Sequence, residues 1–330
     1  MLTRRAFAAS AAALGACQNG QTEEANMPAS ERQWRHAPDA PYAVQEIYPA
    51  LHRGRLWIAG GFSPQARGAT ERVIVFDVAE QSWSDGPALP TPSHHVHLAS
   101  VHDELWAIGG FMGGASRVQW TCTTRVLKLS GDRWVEGPAL PKPIGEAVPI
   151  VHLNRIHLIG GRSPLGQANT DWSDQGDVAD HFVIAPDEVA WSQAEPLPLA
   201  RNSAAGVSDG DRLHVISGRT VASGQTPRHD IYDPRAGRWS EGPAFPEPRG
   251  GLAAAVLDGA IIAGGGEIFE PGSVGTALYR FDGTAWSPFE TLPVSRHGHG
   301  FLVANNSLYA LGGAERVSAS GTMARVDVLS

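Results

Sequence analysis

Three titratable residues, Glu46, His95 and Glu146, occupy equivalent places in the sequence. Each lies 14 residues before a glycine pair that ends a short apolar run. Two carboxylates and an imidazole held close together could divide the roles of a general acid and a general base, because such neighbours separate one another's pKa values. The same groups are also suitable metal ligands. The alternative is a channel whose polar groups simply hydrogen-bond to water.

The glycine pairs that define these places belong to a repeat that occurs six times. Apolar runs such as ELWAIGG (104–110) and SLYALGG (307–313) end on small residues. The first small residues are spaced by 49, 51, 57, 48 and 47 residues: Gly60, Gly109, Gly160, Ser217, Gly265 and Gly312. Tryptophans keep the same intervals: Trp34, Trp83, Trp134, Trp191, Trp239 and Trp286. Two markers that share one period predict a repeat fold.

Each repeat contains four short apolar runs, and turn-forming phrases such as WSDGPALP (83–90) separate them. Gly and Pro end strands at such phrases, so each unit has its own boundary. Four strands with a glycine pair and a tryptophan resemble the kelch repeat, whose units are the blades of a β-propeller. The resemblance covers residues 34–330 and implies an all-β fold, a six-bladed kelch propeller with four-stranded blades.

The two ends of this region are expected to meet in one blade. After Gly312 and Gly313 one more apolar segment follows, at 324–330, without a tryptophan phrase. Trp34, in contrast, has no glycine pair before it. We therefore predict that the N-terminal strand at Trp34 completes the last blade, which closes the ring and removes exposed strand edges.

Residues 1–17 have a different character from the repeats. Arg4 and Arg5 precede an apolar run at 6–16 that is too short to span a bilayer, which favours an export signal. With Phe7, the paired arginines resemble a twin-arginine signal, a route that carries folded proteins. We therefore expect this segment to direct export.

Cys17 predicts how the exported protein is held. LGAC (14–17) resembles a lipobox, in which Cys17 becomes the lipidated first residue; an ordinary cysteine in a conventionally cleaved signal is the alternative. Gln18 after the cysteine implies outer-membrane delivery, and acyl chains would anchor the protein firmly. Residues 18–33 are polar and small, as in a flexible tether. We expect a lipid-anchored protein of the periplasm or outer membrane.

Charge and cysteine content limit the other partners. The net charge is −8 and no basic stripe is present, so nucleic acid is not an expected partner. Beyond Cys17 the chain has one cysteine, Cys122, so we predict no disulfide within the propeller. We also expect no metal, no cofactor and a monomer.

The resemblance implies ligand contacts at the loops that follow the glycine pairs and at those that lead into the innermost strands. The residues predicted on this basis to bind a ligand are Phe62, Phe111, Arg162, Arg219, Asn202, His297 and Glu267. The two arginines fall on neighbouring blades and could clamp an anionic group, or they could be solvated loop residues. One repeat is longer and carries aspartates three apart at 171–180, which predicts a solvated lid rather than a calcium loop.

The sequence supports two functional hypotheses. In a propeller, Glu46, His95 and Glu146 fall on three consecutive blades and face a half-ring of small residues, so one arc of the channel is titratable. The first hypothesis is a recognition module of the cell envelope that binds a protein or a glycan at the loops around the channel. The resemblance also allows a carbohydrate-active enzyme that uses the three titratable residues, since exported kelch proteins include a sialic acid mutarotase.

Overall fold

The computed structural model describes residues 32–114 and 117–330. The predictions for the signal at 1–17, for lipidation at Cys17 and for nearly all of the tether at 18–33 lie outside these residues. Residues Gln33–Ser330 form one unit whose regular secondary structure is almost entirely β-strand. In the described ranges the helical structure is the short 3-10 turn Trp172–Asp174, and no helix there has the length and apolarity that crossing a bilayer requires.

Six four-stranded antiparallel sheets form the blades, and their strands are called A to D from the channel outwards. Strands A to D of blade 1 are Ala50–His52, Arg55–Ala59, Val73–Asp77 and Ser82–Asp85. Those of blade 2 are His97–Val101, Glu104–Ile108, Val126–Ser130 and Arg133–Glu136. Those of blade 3 are Val148–His152, Arg155–Ile159, His181–Ile184 and Ser192–Gln193. Strands A to D of blade 4 are Ala205–Ser208, Leu213–Ile216, His229–Asp233 and Arg238–Glu241. Those of blade 5 are Ala253–Leu257, Ala260–Gly264, Ala277–Phe281 and Trp286–Thr291. The A strands contact one another in a closed circle around the channel.

Blade 6 joins the two ends of the unit. Its strands A to C are Gly300–Ala304, Ser307–Leu311 and Val326–Leu329, and its strand D is Trp34–Ala37. Trp34 pairs with Leu329 and Ala37 with Val326 in antiparallel register. The predicted all-β fold and the closure of the ring by the N-terminal strand are confirmed.

The hydrophobic core is divided among the interfaces between blades. Each apolar cluster takes side chains from two neighbouring blades, as where Leu56 and Ile58 of blade 1 pack with Tyr309 and Leu311 of blade 6. Five of the six repeat tryptophans join blades because their indole N–H groups donate to the preceding blade. Trp134 Nε1 bonds to the Pro87 carbonyl at 2.7 Å, whereas Trp34 Nε1 has no hydrogen-bond partner among the described residues. These bonds give a physical reason for the tryptophan in five of the six repeats.

The glycine pairs turn the chain from strand B into a small hairpin. Gly60 has φ 67° and Gly61 φ 104°, and a Cβ at Gly60 would lie 2.3 Å from the Ser93 carbonyl oxygen. Both the left-handed conformation and the close approach therefore require glycine. Short hairpins follow the pairs in five blades: Phe62–Ser63 with Gly68–Ala69; Phe111–Gly114 with Arg117–Cys122; Arg162–Pro164 with Gln175–Asp177; Arg219–Thr220 with Gly224–Gln225; Glu267–Ile268 with Ser273–Val274. In blade 2 the strand Ser93–His94, which precedes strand A, pairs with Phe111–Gly114 as a third strand.

These hairpins define one end of the propeller, here called the glycine face. The A–B turns define the other end, here called the turn face, at 53–54, 102–103, 153–154, 209–212, 258–259 and 305–306. Because strand A runs from the glycine face to the turn face, residues just before strand A lie near the glycine face.

Candidate functional site

Six equivalent residues surround the channel just before the A strands and form what we call the channel ring: Glu46, His95, Glu146, Ser203, Gly251 and Gly298. All six have a left-handed φ between 50° and 66°. Backbone hydrogen bonds link neighbouring members, such as Ser203 N–H to the Glu146 carbonyl at 3.2 Å and Gly251 N–H to the Ser203 carbonyl at 2.8 Å. Side chains tolerate this conformation at a cost, and such residues are concentrated at functional sites.

The three titratable members of the ring converge. His95 Nε2 lies 2.9 Å from Glu46 Oε2 and 3.8 Å from Glu146 Oε1. Ser203 donates its hydroxyl to Glu146 Oε2 at 3.2 Å. The Glu46 side chain keeps 18% of its surface exposed, against 2% for His95 and 0% for Glu146. Glu46 is therefore the member that a ligand could reach, and a catalytic role for the three residues stays a prediction.

Glu46 is held in its ionised form. Burial opposes its ionisation, but the neighbouring His95, His297 and Arg219 outweigh burial and lower its pKa to about 2. An ionised carboxylate only accepts hydrogen bonds, so His95 carries a proton on the Nε2 that faces Glu46. The other ring nitrogen, Nδ1, lies 2.7 Å from His94 Nδ1. A carboxylate with a fixed imidazole behind it can accept a proton or bind a cation.

Two residues next to the ring stay neutral. His97 donates from Nδ1 to the Ile108 carbonyl at 2.9 Å and accepts at Nε2 from the Ala147 N–H at 3.0 Å. Burial lowers the pKa of His97 to about 3. Burial and the carboxylates of Glu146 and Glu46 raise the pKa of Tyr48 well above its usual value. The geometry makes His97 a structural bridge between blades 2 and 3.

A second layer, called the hairpin layer, covers the channel ring on the glycine face. In each blade a residue 15 places before the glycine pair forms a β-bridge with a residue that follows the pair. The members are all buried: Gln45, Phe62, His94, Phe111, Gly145, Arg162, Asn202, Arg219, Gly250, Glu267, His297 and Ala314. The layer therefore closes the channel at this level.

All seven residues predicted to bind a ligand belong to the hairpin layer. The sequence-based expectation placed them in exposed loops around an open mouth, whereas the β-bridges turn them inward and bury them. Arg162 donates from Nη2 to the carbonyls of Trp172 and Gln175 at 2.7 and 2.8 Å, and the centroid of the Trp172 ring lies 3.8 Å from its guanidinium carbon. A ligand on the glycine face would thus meet Trp172 before Arg162.

Arg219 is likewise engaged within the protein. Its Nη1 donates to Glu267 Oε1 at 2.9 Å, and its Nε donates to Asn202 Oδ1 at 3.2 Å. The Phe269 ring lies 4.4 Å from the guanidinium carbon on the outer side. His297 Nδ1 lies 3.5 Å from Glu267 Oε2. These contacts form one buried polar network, in which each side chain holds the next in position.

Phe62 and Phe111 enclose His94. The three rings stack, with centroids 4.0 Å apart for Phe62 and His94 and 5.2 Å apart for His94 and Phe111. Trp120 meets the His94 ring edge-on at 4.8 Å. Because His94 contacts His95, this aromatic cluster positions the imidazole that faces Glu46.

A cavity of about 190 Å³ lies against the small-residue arc of the ring. Glu46 and Tyr48 bound it on one side. Small residues of blades 4 to 6 line most of the rest, among them Ser203, Ala205, Gly206, Ala254 and Gly300. The cavity therefore lies towards blades 4 to 6, and Glu46 is the one carboxylate in a lining that is otherwise largely apolar.

The channel opens towards the turn face. Near the A–B turns, one residue of every A strand is only partly buried: Leu51, Ser100, Val151, Ser208, Val256 and Val303. The hairpin layer at the other end is buried throughout. The end of the channel near the turn face is thus the less buried one, and ligand contact at the loops of the glycine face stays a prediction.

Glycines create the space in which Glu46 lies. A Cβ at Gly298 would come within 2.8 Å of Glu46 Oε1, and one at Gly300 would come within 2.1 Å of Pro49 Cγ. At Gly206 a Cβ would lie 1.9 Å from Val148 Cγ1. The small-residue arc seen in the sequence is required by this packing.

The aspartates of the blade 3 insertion have protein partners. Asp174 accepts the backbone N–H of Thr170 at 2.9 Å, Asp177 accepts from the Asn202 amide at 2.6 Å, and Asp180 lies 2.6 Å from Lys142 Nζ. Across 32–114 and 117–330, no group of three or more His, Cys, Asp and Glu side chains could hold a metal ion. The insertion instead carries Trp172 over the hairpin layer.

One surface feature was missed by the sequence reasoning. Leu165, Val221 and Phe269 are 76%, 47% and 41% exposed and lie in the hairpins of blades 3, 4 and 5. Each comes a few residues after its glycine pair, but only the fold shows that three successive hairpins present apolar side chains on one face. Exposed apolar patches of this kind mark contact sites.

Sequence comparisons connect the repeats to known proteins. The chain is 28% identical to Kelch-like protein 40 of Mus musculus over 187 residues, 54% of this chain and 28% of that protein. It is 26% identical to Beta-scruin of Limulus polyphemus over 206 residues, 58% of this chain and 22% of that protein. It is 26% identical to Kelch-like protein 34 of Homo sapiens over 202 residues, 58% and 31% respectively. The chain thus spans less than a third of the length of these relatives.

Structural comparison gives agreement over nearly the whole propeller. The solved structure of YjhT matches with a TM-score of 0.73 over 89% of this chain and 96% of that one. The two sequences are 20% identical, so the likeness concerns the fold. No protein-family model matches the chain.

Proposed function

Because this chain is a kelch-repeat β-propeller, we propose that it acts as a ligand-recognition module whose contact surface lies on the glycine face. The exposed apolar side chains of Leu165, Val221 and Phe269 on three consecutive blades carry this proposal. Kelch propellers generally bind protein partners, and exposed apolar area beside polar residues suits a protein surface.

The hairpin layer gives this surface a rigid base. Phe269 packs over the guanidinium of Arg219, which Glu267 holds at 2.9 Å. Val221 N–H donates to Asp177 Oδ2 at 2.6 Å, which ties the blade 4 hairpin to blade 3. A pre-organised surface loses little conformational entropy when a partner binds.

Charge substitution tests the surface. The triple variant Leu165→Glu, Val221→Glu and Phe269→Glu should lose capture of a partner from an envelope extract, and the purified partner should fail to bind it. Val189→Glu is the matched control, because Val189 is 89% exposed in the C–D turn of blade 3, at the other end of the blade. Equal binding by the triple variant and the wild type would refute the glycine-face proposal. A glycan recovered in place of a protein would change the partner class but keep the surface.

The channel offers a second candidate function, a carbohydrate-active enzyme of mutarotase or epimerase type. The observation that favours it is the ionised Glu46 in the lining of the cavity, with His95 Nε2 2.9 Å from its carboxylate. Glu46 would accept the proton of an anomeric hydroxyl while the bond between the anomeric carbon and the ring oxygen breaks, and the ring oxygen would take a proton from solvent water. An anionic sugar such as sialic acid would be repelled by Glu46, since the arginines are buried in the hairpin layer, so a neutral sugar fits better.

Anomer exchange measured by NMR tests this second candidate. Wild-type protein should speed the exchange of a neutral monosaccharide more than that of N-acetylneuraminate, and Glu46→Gln should abolish the acceleration. Rates equal to the buffer control for both sugars would exclude the enzyme.

We further propose that the protein works in the cell envelope, exported by the twin-arginine-like signal and anchored through Cys17. The support is the order of paired arginines, apolar run and LGAC at 1–17. Metabolic labelling with a fatty acid should mark the wild type and leave Cys17→Ser unlabelled. A wild type that stays unlabelled in the cytoplasm would contradict the anchor.

A further inference from the structure

The channel cavity has the features of a binding site that is separate from the glycine-face surface. Glu46 is one of its lining residues and keeps 18% of its side-chain surface exposed beside a space of about 190 Å³. That volume admits a small molecule and excludes a folded partner. The cavity lies on the far side of the hairpin layer from Leu165, Val221 and Phe269, so the two surfaces do not overlap.

The charges around the cavity favour a cation. Four carboxylates lie in or beside the channel ring and the hairpin layer: Glu46, Glu146, Asp177 and Glu267. Two guanidiniums, Arg162 and Arg219, accompany them, and both are buried beneath aromatic rings on the glycine face. The carboxylates of this set outnumber its guanidiniums by two, and the carboxylate among them that lines the cavity is Glu46. A narrow channel with apolar walls concentrates such a field.

The rest of the lining suits the organic part of the ligand. Tyr48 and Phe301 supply aromatic surface, which attracts cations as well as apolar groups. His299, which also lines the cavity, is 4% exposed, and both of its ring nitrogens lack a hydrogen-bond partner. A buried imidazole without partners leaves a nitrogen lone pair that an N–H donor could satisfy.

We propose that the channel binds a compact primary ammonium ion, which enters from the turn face and places its nitrogen against the Glu46 carboxylate. The ammonium group has three donors, which suit an ionised carboxylate and a neutral imidazole. Its alkyl chain lies along the small residues of blades 4 to 6. The small volume of the cavity favours small amines over large ones.

Calorimetric titration of the full-length protein with butylammonium tests the proposal, with butan-1-ol as the neutral probe of similar shape. Wild-type protein should bind butylammonium at least about tenfold more tightly than butan-1-ol, because the charge-assisted hydrogen bond is lost with the alcohol. Glu46→Gln should remove this preference. Glu80→Gln, in an exposed turn of blade 1, is the matched control and should leave both affinities unchanged.

A second variant keeps the test independent of any effect of Glu46→Gln on folding. Ala254→Phe places a ring in the cavity without altering a charge, and it should abolish binding of butylammonium. Equal affinity for the amine and the alcohol, no binding of either, or unchanged binding in Ala254→Phe would overturn the proposal. So would Glu46-dependent binding of a neutral monosaccharide but not of the amine, which would favour the second candidate function. Partner binding by the glycine face should persist in both variants.

Discussion

The two ends of the central channel are built from the same six repeats but differ in almost every physical respect. At the glycine face the equivalent residues are buried, bridged and joined in a polar network that includes Arg219 and Glu267. At the turn face the A strands carry partly exposed residues such as Val151 and Val256. The difference shows that a repeat fixes where side chains point, while the residue types at each position decide which end of the channel stays open.

The difference also separates two kinds of function. The closed end provides a stable base on which exposed hairpins can meet a macromolecule. The open end provides a small cavity with a single accessible carboxylate, which suits a small ligand. The following experiments test this contrast through paired substitutions at the two ends.

The largest effect is expected from Glu267→Ala at the closed end. The substitution leaves Arg219 buried without its carboxylate, which should lower the free energy of unfolding by about 3–5 kcal/mol. The turn-face comparison is Asp103→Ala, which removes the exposed partner of Arg53 and should cost less than about 1 kcal/mol. Chemical denaturation measures both values. Similar losses at the two ends would contradict the contrast.

Two glycines with left-handed φ make a second comparison. Gly298→Ala should lower the free energy of unfolding by about 2–4 kcal/mol, because the left-handed strain adds to contacts of 2.8 Å with the Glu46 carboxyl and 2.9 Å with its backbone nitrogen. Gly54→Ala, in an A–B turn with open space around it, should cost about 1 kcal/mol from strain alone. Thermal unfolding of the two variants decides whether packing or conformation dominates at the ring.

Acid should act on the closed end through His97. Its folded pKa of about 3 lies below the unfolded value, so its contribution to stability is complete above pH 6.5 and is lost as the pH falls below 6.5. One such group costs about 2 kcal/mol at pH 5. The ionised Glu46, with a pKa of about 2, loses its contribution only below about pH 4.5.

The variant His97→Gln should therefore reduce the drop in unfolding free energy between pH 7 and pH 5. Part of the drop in unfolding free energy should remain in this variant, because other buried histidines, such as His157 with a pKa of about 3, also become protonated on unfolding. An unchanged pH profile in His97→Gln would show that this imidazole is not the acid-sensitive link between blades 2 and 3.

The smallest effect is expected at the open mouth. Val256 is half-buried near the A–B turn of blade 5, so Val256→Thr should change the free energy of unfolding by less than about 0.5 kcal/mol. Urea titration would detect a larger loss. A loss above 1 kcal/mol would mean that the turn face is packed as tightly as the glycine face.

The sequence predicted the features that depend on periodicity. The glycine pairs and tryptophans indicated six four-stranded blades, and the unmatched Trp34 indicated the strand that closes the ring, because each marker has a local physical cause that repeats. The same counting grouped Glu46, His95 and Glu146, since equivalent positions in a ring face one axis. These inferences needed no knowledge of side-chain packing.

The burial of the hairpin layer could not be predicted in the same way. Arg162 is covered by Trp172, which comes from an insertion outside the repeat, and Arg219 is held by Glu267 of the next blade. Such contacts depend on how far each hairpin folds over its neighbour. For the same reason, the exposure of Leu165 and the position of the cavity followed from the fold alone.

Cysteine accessibility tests the orientation of the channel most directly. In a Cys17→Ser background, Ala254→Cys lines the cavity and Ala314→Cys lies in the hairpin layer, while the buried Cys122 is an internal control. A small thiol reagent applied to the folded protein should modify the cysteine at 254 quickly and leave those at 314 and 122 unmodified. Rapid modification at 314 with protection at 254 would contradict a channel that is closed at the glycine face and open at the turn face.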